Sequence, residues 1–126
     1  MEAGARPRRI GSHRDLVVWH KAMDLTVEVY RLSERFPSDE RYRLISQITR
    51  AAASIPANIA EGHARSSARD FAHFVSIAKG SLMETETFLM LALRLGYLTN
   101  EAAAPALRLV TEISKMLTRL RSRLAA

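Results

Sequence analysis

Residues 54–62 read SIPANIAEG. Ile55 and Ile59 are one helical turn apart and continue the series Leu44, Ile48, Ala51, Ala52, whose spacings of three and four mark a helix with one buried face. Pro56 stands inside that series. Its ring removes a backbone donor and crowds the carbonyl of Ala52, which costs about 3 kcal/mol in a straight helix. The pattern therefore predicts a kinked helix and a packing contact that offsets the loss. Ala51, Ala52 and Ala53 precede the proline, and a hairpin centred near residue 65 would set them against Gly80 and Ser81, small residues that let two backbones approach closely.

The same stretch carries polar groups. Asn58 and Glu61 are spaced i, i+3, and Ser54 lies one turn earlier on that face. Ile55 and Ile59 already take the core direction, so this face looks to solvent or to another subunit. Ser54, Asn58 and Glu61 are accordingly expected to form a self-association surface.

Three more helices follow from the same periodicity. Between Asp15 and Arg35, Leu16, Trp19, Met23, Val27 and Tyr30 join Val18, Leu25, Val29 and Leu32 in one wide apolar stripe. Trp19 and Tyr30 lie on it and are expected to anchor the core or an interface. Ser12 and Asp15 have the spacing of a capping box, and Phe36-Pro37 ends the segment. Asp39 and Glu40 suit the start of the second helix, which Gly62 would stop. Ser67 with Asp70 opens the third, whose Phe71, Phe74, Ala78, Leu82, Thr85, Leu89 and Ala92 keep the stripe to Gly96. Thr99 can cap the fourth, with Ala106, Val110, Ile113, Leu117, Leu120 and Leu124 inward. Short connections make sequential helices antiparallel, so the expected fold is an all-α, up-down-up-down four-helix bundle over residues 12–126, preceded by a flexible basic arm at 1–11.

The segments DLVVWHKAMDLTVEVYRL (15–32), FPSDERYRLISQITRAAASIPANIAEG (36–62) and FVSIAKGSLMETETFLMLALRLGYL (74–98) occur in that order. Together they resemble the small bacterial four-helix-bundle family of proteins encoded within intervening sequences of 23S rRNA genes. More distantly, they are similar to the accessory protein of diversity-generating retroelement reverse transcriptases. The resemblance implies a homopentamer shaped as a short barrel with a central opening, and nucleic-acid binding. It supplies no catalytic site, and it does not reach the first eleven residues.

Composition narrows the function. The chain of 126 residues suits one domain, and without cysteine it has neither disulfide nor thiolate metal site, which fits a reducing cytoplasm. Phe88–Leu93 is the longest apolar run, far short of the roughly 20 residues that cross a bilayer, so no membrane-spanning helix is expected. A di-metal centre in a four-helix bundle wants paired Glu-x-x-His motifs, and the sequence offers one Asp70-x-x-His73. His13, His20 and His63 have no companions at ligand spacing, and Glu84 and Glu86, two apart, point to different sides of their helix. Neither a nucleophile elbow nor a glycine-rich phosphate loop is present. No metal, cofactor or enzymatic activity is expected.

The charge is more telling. The formal net charge is +6, and its excess is terminal: four arginines against Glu2 in residues 1–14, and Lys115, Arg119, Arg121 and Arg123 with no acid in residues 115–126. The bundle topology brings Arg14, Arg65, Arg69, Arg119, Arg121 and Arg123 to one pole, near Arg6, Arg8 and Arg9 of the arm. Such a cluster attracts phosphate backbones through counterion release without reading base sequence. Basic residues at a helix C-terminus also complement its dipole, which accounts for Arg119 to Arg123 without a ligand. Three readings stand: a homo-oligomeric scaffold that binds RNA or DNA through this pole, an adaptor that docks an acidic protein such as a reverse transcriptase or polymerase subunit there, and, weakest, a membrane-surface protein.

Overall fold

Pro56 does not interrupt its helix. The computed structural model describes residues 11–125, and Leu44–His63 form one continuous helix with Pro56 buried at its middle. The carbonyl deprived of its intrahelical donor is that of Ala52, and a neighbouring helix supplies the replacement. Thr26 Oγ1 lies 3.1 Å from Ala52 O and 2.8 Å from Ala22 O, so its one proton is shared between the two carbonyls. Ala52 is fully buried, where an unbonded carbonyl would cost about 1–3 kcal/mol.

The helices are α1 (Val17–Ser33), α2 (Leu44–His63), α3 (Ala68–Arg94) and α4 (Asn100–Ala125), with short 3-10 turns at His13–Asp15 and Ser38–Glu40 and no strand among the described residues. The basic arm assigned to residues 1–11 lies outside the described residues except for Gly11. Helix α1 packs against α2 and α4, as does α3, so α1 and α3 occupy diagonal corners. Residue numbers rise on one helix as they fall on the next: Ser54 meets Ser81 while Gly62 meets Phe71 and Phe74, and Lys79 meets Thr118 while Ser76 meets Arg121. The bundle is antiparallel and up-down-up-down, as the spacing predicts.

Its core is aliphatic. Leu25, Ile48, Ile55, Ile59, Leu82, Leu89, Ile113 and Leu117 are fully buried, and the one buried hydroxyl among them, that of Thr85, donates to Ser81 O at 2.8 Å. Satisfying that hydroxyl inside its own helix lets Thr85 pack as an apolar residue.

Several local expectations change. Ser12 caps the 3-10 turn, accepting from Arg14 N at 3.1 Å, and α1 begins only at Val17 after an extended Leu16. The wide stripe of α1 is split: Val18, Ala22, Leu25, Val29 and Leu32 are buried, while Met23, Val27 and Tyr30 remain 40%, 46% and 53% exposed. Seventeen residues of helix cannot turn both apolar sides to one core. Tyr30 is therefore not a core anchor, and Trp19 is only half-buried. Gly62 does not stop α2; it is helical and buried, and a Cβ there would stand 2.7 Å from Phe74 Cβ and 2.9 Å from Phe71 Cδ1. The close approach of α2 and α3 is thus at Gly62. Ser81 does face α2, with its Oγ 2.8 Å from Ser54 Oγ, but Gly80 faces outward with nothing within 4 Å of its Cβ position.

Two helix ends are as expected. Gly96, at φ +79°, closes α3: Tyr97 N donates to Ala92 O at 2.9 Å and Gly96 N to Leu93 O at 3.1 Å, the paired bonds of a Schellman motif. Thr99 Oγ1 accepts from Ala102 N at 3.1 Å and caps α4. The start of α2 is held differently, by Glu40, whose Oε1 accepts from Leu44 N at 3.3 Å while Tyr97 Oη donates to its Oε2 at 2.7 Å. The Tyr97 bond, followed by that from Leu44, holds the Glu40 carboxyl below its ordinary value, and the same bond pushes the Tyr97 hydroxyl up.

These contacts yield three expectations. Thr26→Val should cost about 1–3 kcal/mol in urea unfolding, and much less in a Pro56→Ala background, where residue 56 again donates to Ala52. Gly62→Ala should destabilise by about 1–3 kcal/mol despite alanine's better helix propensity, because the phenylalanine Cβ that it meets cannot move away. Tyr97→Phe should lower Tm at neutral pH, and the gap should close as pH falls through the depressed Glu40 pKa, since a carboxyl held low contributes stability above its unfolded value of about 4.3 and loses it in acid.

Candidate nucleic-acid interface

One end of the bundle gathers the start of α1, the α2–α3 connection and the end of α4. All six arginines singled out from the sequence lie there, and all are exposed. They fall into distinct local settings.

Arg14 sits in the 3-10 turn before α1. His20 Nε2 is 2.7 Å from Arg14 O, and since a carbonyl only accepts, this nitrogen carries the proton. Trp19 packs edge-on against both His13 and His20, with ring centroids 4.9 Å apart in each pair. The half-buried tryptophan packs against the hydrophobic core, as expected, and its outer edge also clamps the turn that presents Arg14.

Arg65 follows α2 and is largely committed within the protomer. It pairs with Glu61 one turn earlier, and its guanidinium lies 4.8 Å from the centre of the Phe74 ring. Exposed i, i+4 pairs are worth a few tenths of a kcal/mol, so a phosphate can compete for this cation, but Glu61 lowers its charge contribution. Arg69, in the first turn of α3, has no such acid one turn before it.

The end of α4 supplies the other three. Arg121 Nε donates to Ser76 Oγ at 2.6 Å, which fixes its stem against α3. Arg119 and Arg123, one turn apart, border a depression of about 210 Å³ floored by Leu16, Val17, Val18, Met116 and Leu120. Among the described residues, Arg14, Arg69, Arg119, Arg121 and Arg123 form no ion pair. Five unpaired cations from three segments give this end a positive field and leave each able to meet an anion.

Sequence reasoning missed the aromatic part of this pole. Besides the Trp19 group, His63 packs edge-on against Phe71 and His73 against Phe74, so all four histidines lie here. No spacing rule joins His20 to Arg14 or His63 to Phe71; the 3-10 turn before α1 makes the first contact and the α2–α3 hairpin the second.

The residues expected to form a self-association face are placed elsewhere on α2. Asn58 Nδ2 donates to Ser54 O at 2.8 Å and to Ser54 Oγ at 2.9 Å, and Ser54 Oγ faces Ser81. Both are partly buried in the α2–α3 groove, and Glu61 belongs to the basic pole through Arg65. Their polar groups thus have partners within one protomer. Among the described residues no cluster of three His, Asp or Glu side chains could hold a metal ion, and no helix is long and apolar enough to cross a membrane.

Comparisons agree with the bundle. No curated protein sequence matches the chain. A crystal structure of a protein of unknown function from the S23 ribosomal protein family of Bacteroides thetaiotaomicron is similar, at 31% identity and a TM-score of 0.77, over 83% of this chain and 98% of that one. The family model of the 23S rRNA-intervening sequence protein matches residues 14–119, which take in α1, α2, α3 and α4 as far as Arg119, with four of the six arginines of the basic pole. The chain belongs to the 23S rRNA-intervening sequence protein family.

Proposed function

We propose that this protein is a non-enzymatic, self-associating scaffold of the cytoplasm whose basic pole holds the phosphate backbone of RNA or DNA. The observation that carries this reading is the convergence of Arg14, Arg69, Arg119, Arg121 and Arg123, all exposed and without an ion-pair partner among the described residues. Dipole compensation explains basic residues in the last turn of α4 but not Arg69, which stands at the N-terminal, positive end of α3. The family description supports RNA as the first nucleic acid to test. Binding of this kind reads charge and spacing, not sequence, and the homopentamer implied by the family would multiply a modest protomer affinity through avidity.

A second reading has its own support. The depression beside Arg119 and Arg123 has an apolar floor and a basic rim, which suits an acidic protein segment with an apolar residue or two, as an adaptor docking a reverse transcriptase or polymerase subunit would require.

Fluorescence anisotropy with a short single-stranded RNA, taken from about 50 to 200 mM salt, tests the first reading: affinity should fall steeply with salt. Arg119→Gln with Arg123→Gln should flatten the log–log slope by about 1.4, at about 0.7 per phosphate contact for single strands. Affinity that is indifferent to salt and to both substitutions defeats it. Capture of the same protein partner from nuclease-treated and untreated lysate would favour the adaptor.

A further inference from the structure

Exposed apolar side chains are concentrated on the two diagonal helices. On α1, Met23, Val27 and Tyr30 are 40–53% exposed; on α3, Ile77, Met83, Met90 and Leu91, with Leu95 at its C-cap, are 38–50% exposed. The outward faces of α2 and α4 have no comparable cluster: they carry Gln47, Arg50, Ala57 and Glu61, and Glu101, Arg108, Glu112 and Lys115. At 100° per residue, Gly80 falls at the centre of the α3 group.

That glycine has no reason within the protomer. A glycine inside a helix weakens it relative to alanine, and a Cβ at position 80 would meet nothing within 4 Å. A missing side chain on an outward, otherwise apolar face makes a notch for another backbone or a knob.

We infer that the α1 face of one copy packs against the α3 face of a second copy, joining protomers head to tail. This rests on the self-association proposed above and assigns it a surface other than Ser54, Asn58 and Glu61. The two faces differ in relief, side chains projecting on α1 and a notch on α3, so neither is an obvious match for itself. Because the faces lie on diagonal helices, one protomer can use both, and the joining repeats from copy to copy, as a ring where its rotation closes and as a filament where it does not.

Heights along the bundle agree. Helices α1 and α3 run parallel, so copies turned about an axis along the bundle keep equal heights side by side. Thr26 meets Ala52 and Ser54 meets Ser81, which sets Thr26 level with Met83; Lys21 meets Glu112 and Lys79 meets Thr118, which sets Lys21 level with Thr85. On either reckoning the stretch from Met23 to Tyr30 lies alongside some part of Gly80–Arg94.

Charge completes the match. Glu34, just past the end of α1, stands where the helix dipole disfavours an anion, and Arg94 of α3 lies near the same height. Both are exposed, and neither has an ion-pair partner among the described residues. A partner's Arg94 beside Glu34 would relieve the misplaced anion.

Met23→Arg and Gly80→Arg test this, each altering one exposed position that the protomer's own packing does not use, with helicity checked by circular dichroism. By light scattering after size exclusion, the native chain should be a multimer and each variant alone should fall to the 14.1 kDa protomer mass. An equimolar mixture keeps one intact α1 face and one intact α3 face, and should form a one-to-one pair of twice that mass. As a second check, Glu34→Arg and Arg94→Glu should each weaken assembly, and their combination in one chain should restore it. If the native chain is a multimer and both arginine variants keep its mass, or the variants separate but do not pair on mixing, the head-to-tail assignment is overturned while self-association stands. A monomeric native chain overturns both.

Discussion

The hydrogen bond from Thr26 to the Ala52 carbonyl is the condition on which α2 can hold a proline at its centre. Pro56 withdraws the donor that Ala52 would use, and burial denies that carbonyl water, so the acceptor has to be met by a side chain from another helix. That requirement fixes α1 against α2 in one rotation and at one height. Once α1 is so oriented, Ala22, Leu25 and Val29 turn inward, Lys21 reaches Glu112 on α4, and Met23 and Tyr30 are left facing outward on either side of Thr26. A polar exchange of about one hydrogen bond thereby selects among packings that the aliphatic core alone would tolerate equally.

The opposite end of α2 is fixed by volume instead of polarity. Gly62 brings the backbone of α2 against Phe71 and Phe74, and the next residues turn directly into α3. Between these two constraints lie Ser54 and Asn58, whose bonds to one another and to Ser81 fill the α2–α3 groove with satisfied polar contacts. The SIPANIAEG stretch thus encodes three different helix contacts within three turns: Pro56 to α1 through Ala52 and Thr26, Ser54 to α3, and Gly62 to the aromatic pair.

Much of this was legible in the chain. Periodicity located the four helices and their antiparallel order, because apolar spacing and short connections leave few other arrangements. Thr99 and Gly96 announced their helix ends through chemistry that acts within a few residues. What could not be read depends on distance in sequence. Gly62 resembles a terminator until Phe71 and Phe74 are known to press on it, and Gly80 resembles a packing glycine until its position is known to face outward. Met23, Val27 and Tyr30 satisfy the same spacing rule as the core, since amphipathic periodicity reports an apolar side without saying which copy of the chain covers it. The six arginines were placed at one pole correctly because topology alone decides it, whereas the bond of Arg65 to Glu61 and its stacking on Phe74 emerge only from side-chain geometry.

The contact at Gly62 also bears on the mechanics of the pole. With no side chain between α2 and the α3 aromatics, the short connection carrying Arg65 is anchored at both ends, and Arg69 follows within the first turn of a 27-residue helix. The backbone spacing of these cations is therefore set before any ligand arrives. Whatever anion settles there has to do the adjusting. A single strand bends to such a frame at little cost, whereas a duplex with a persistence length of about 150 base pairs resists it over so short a span, so stiffness alone can sort one polyanion from another without a single base being read.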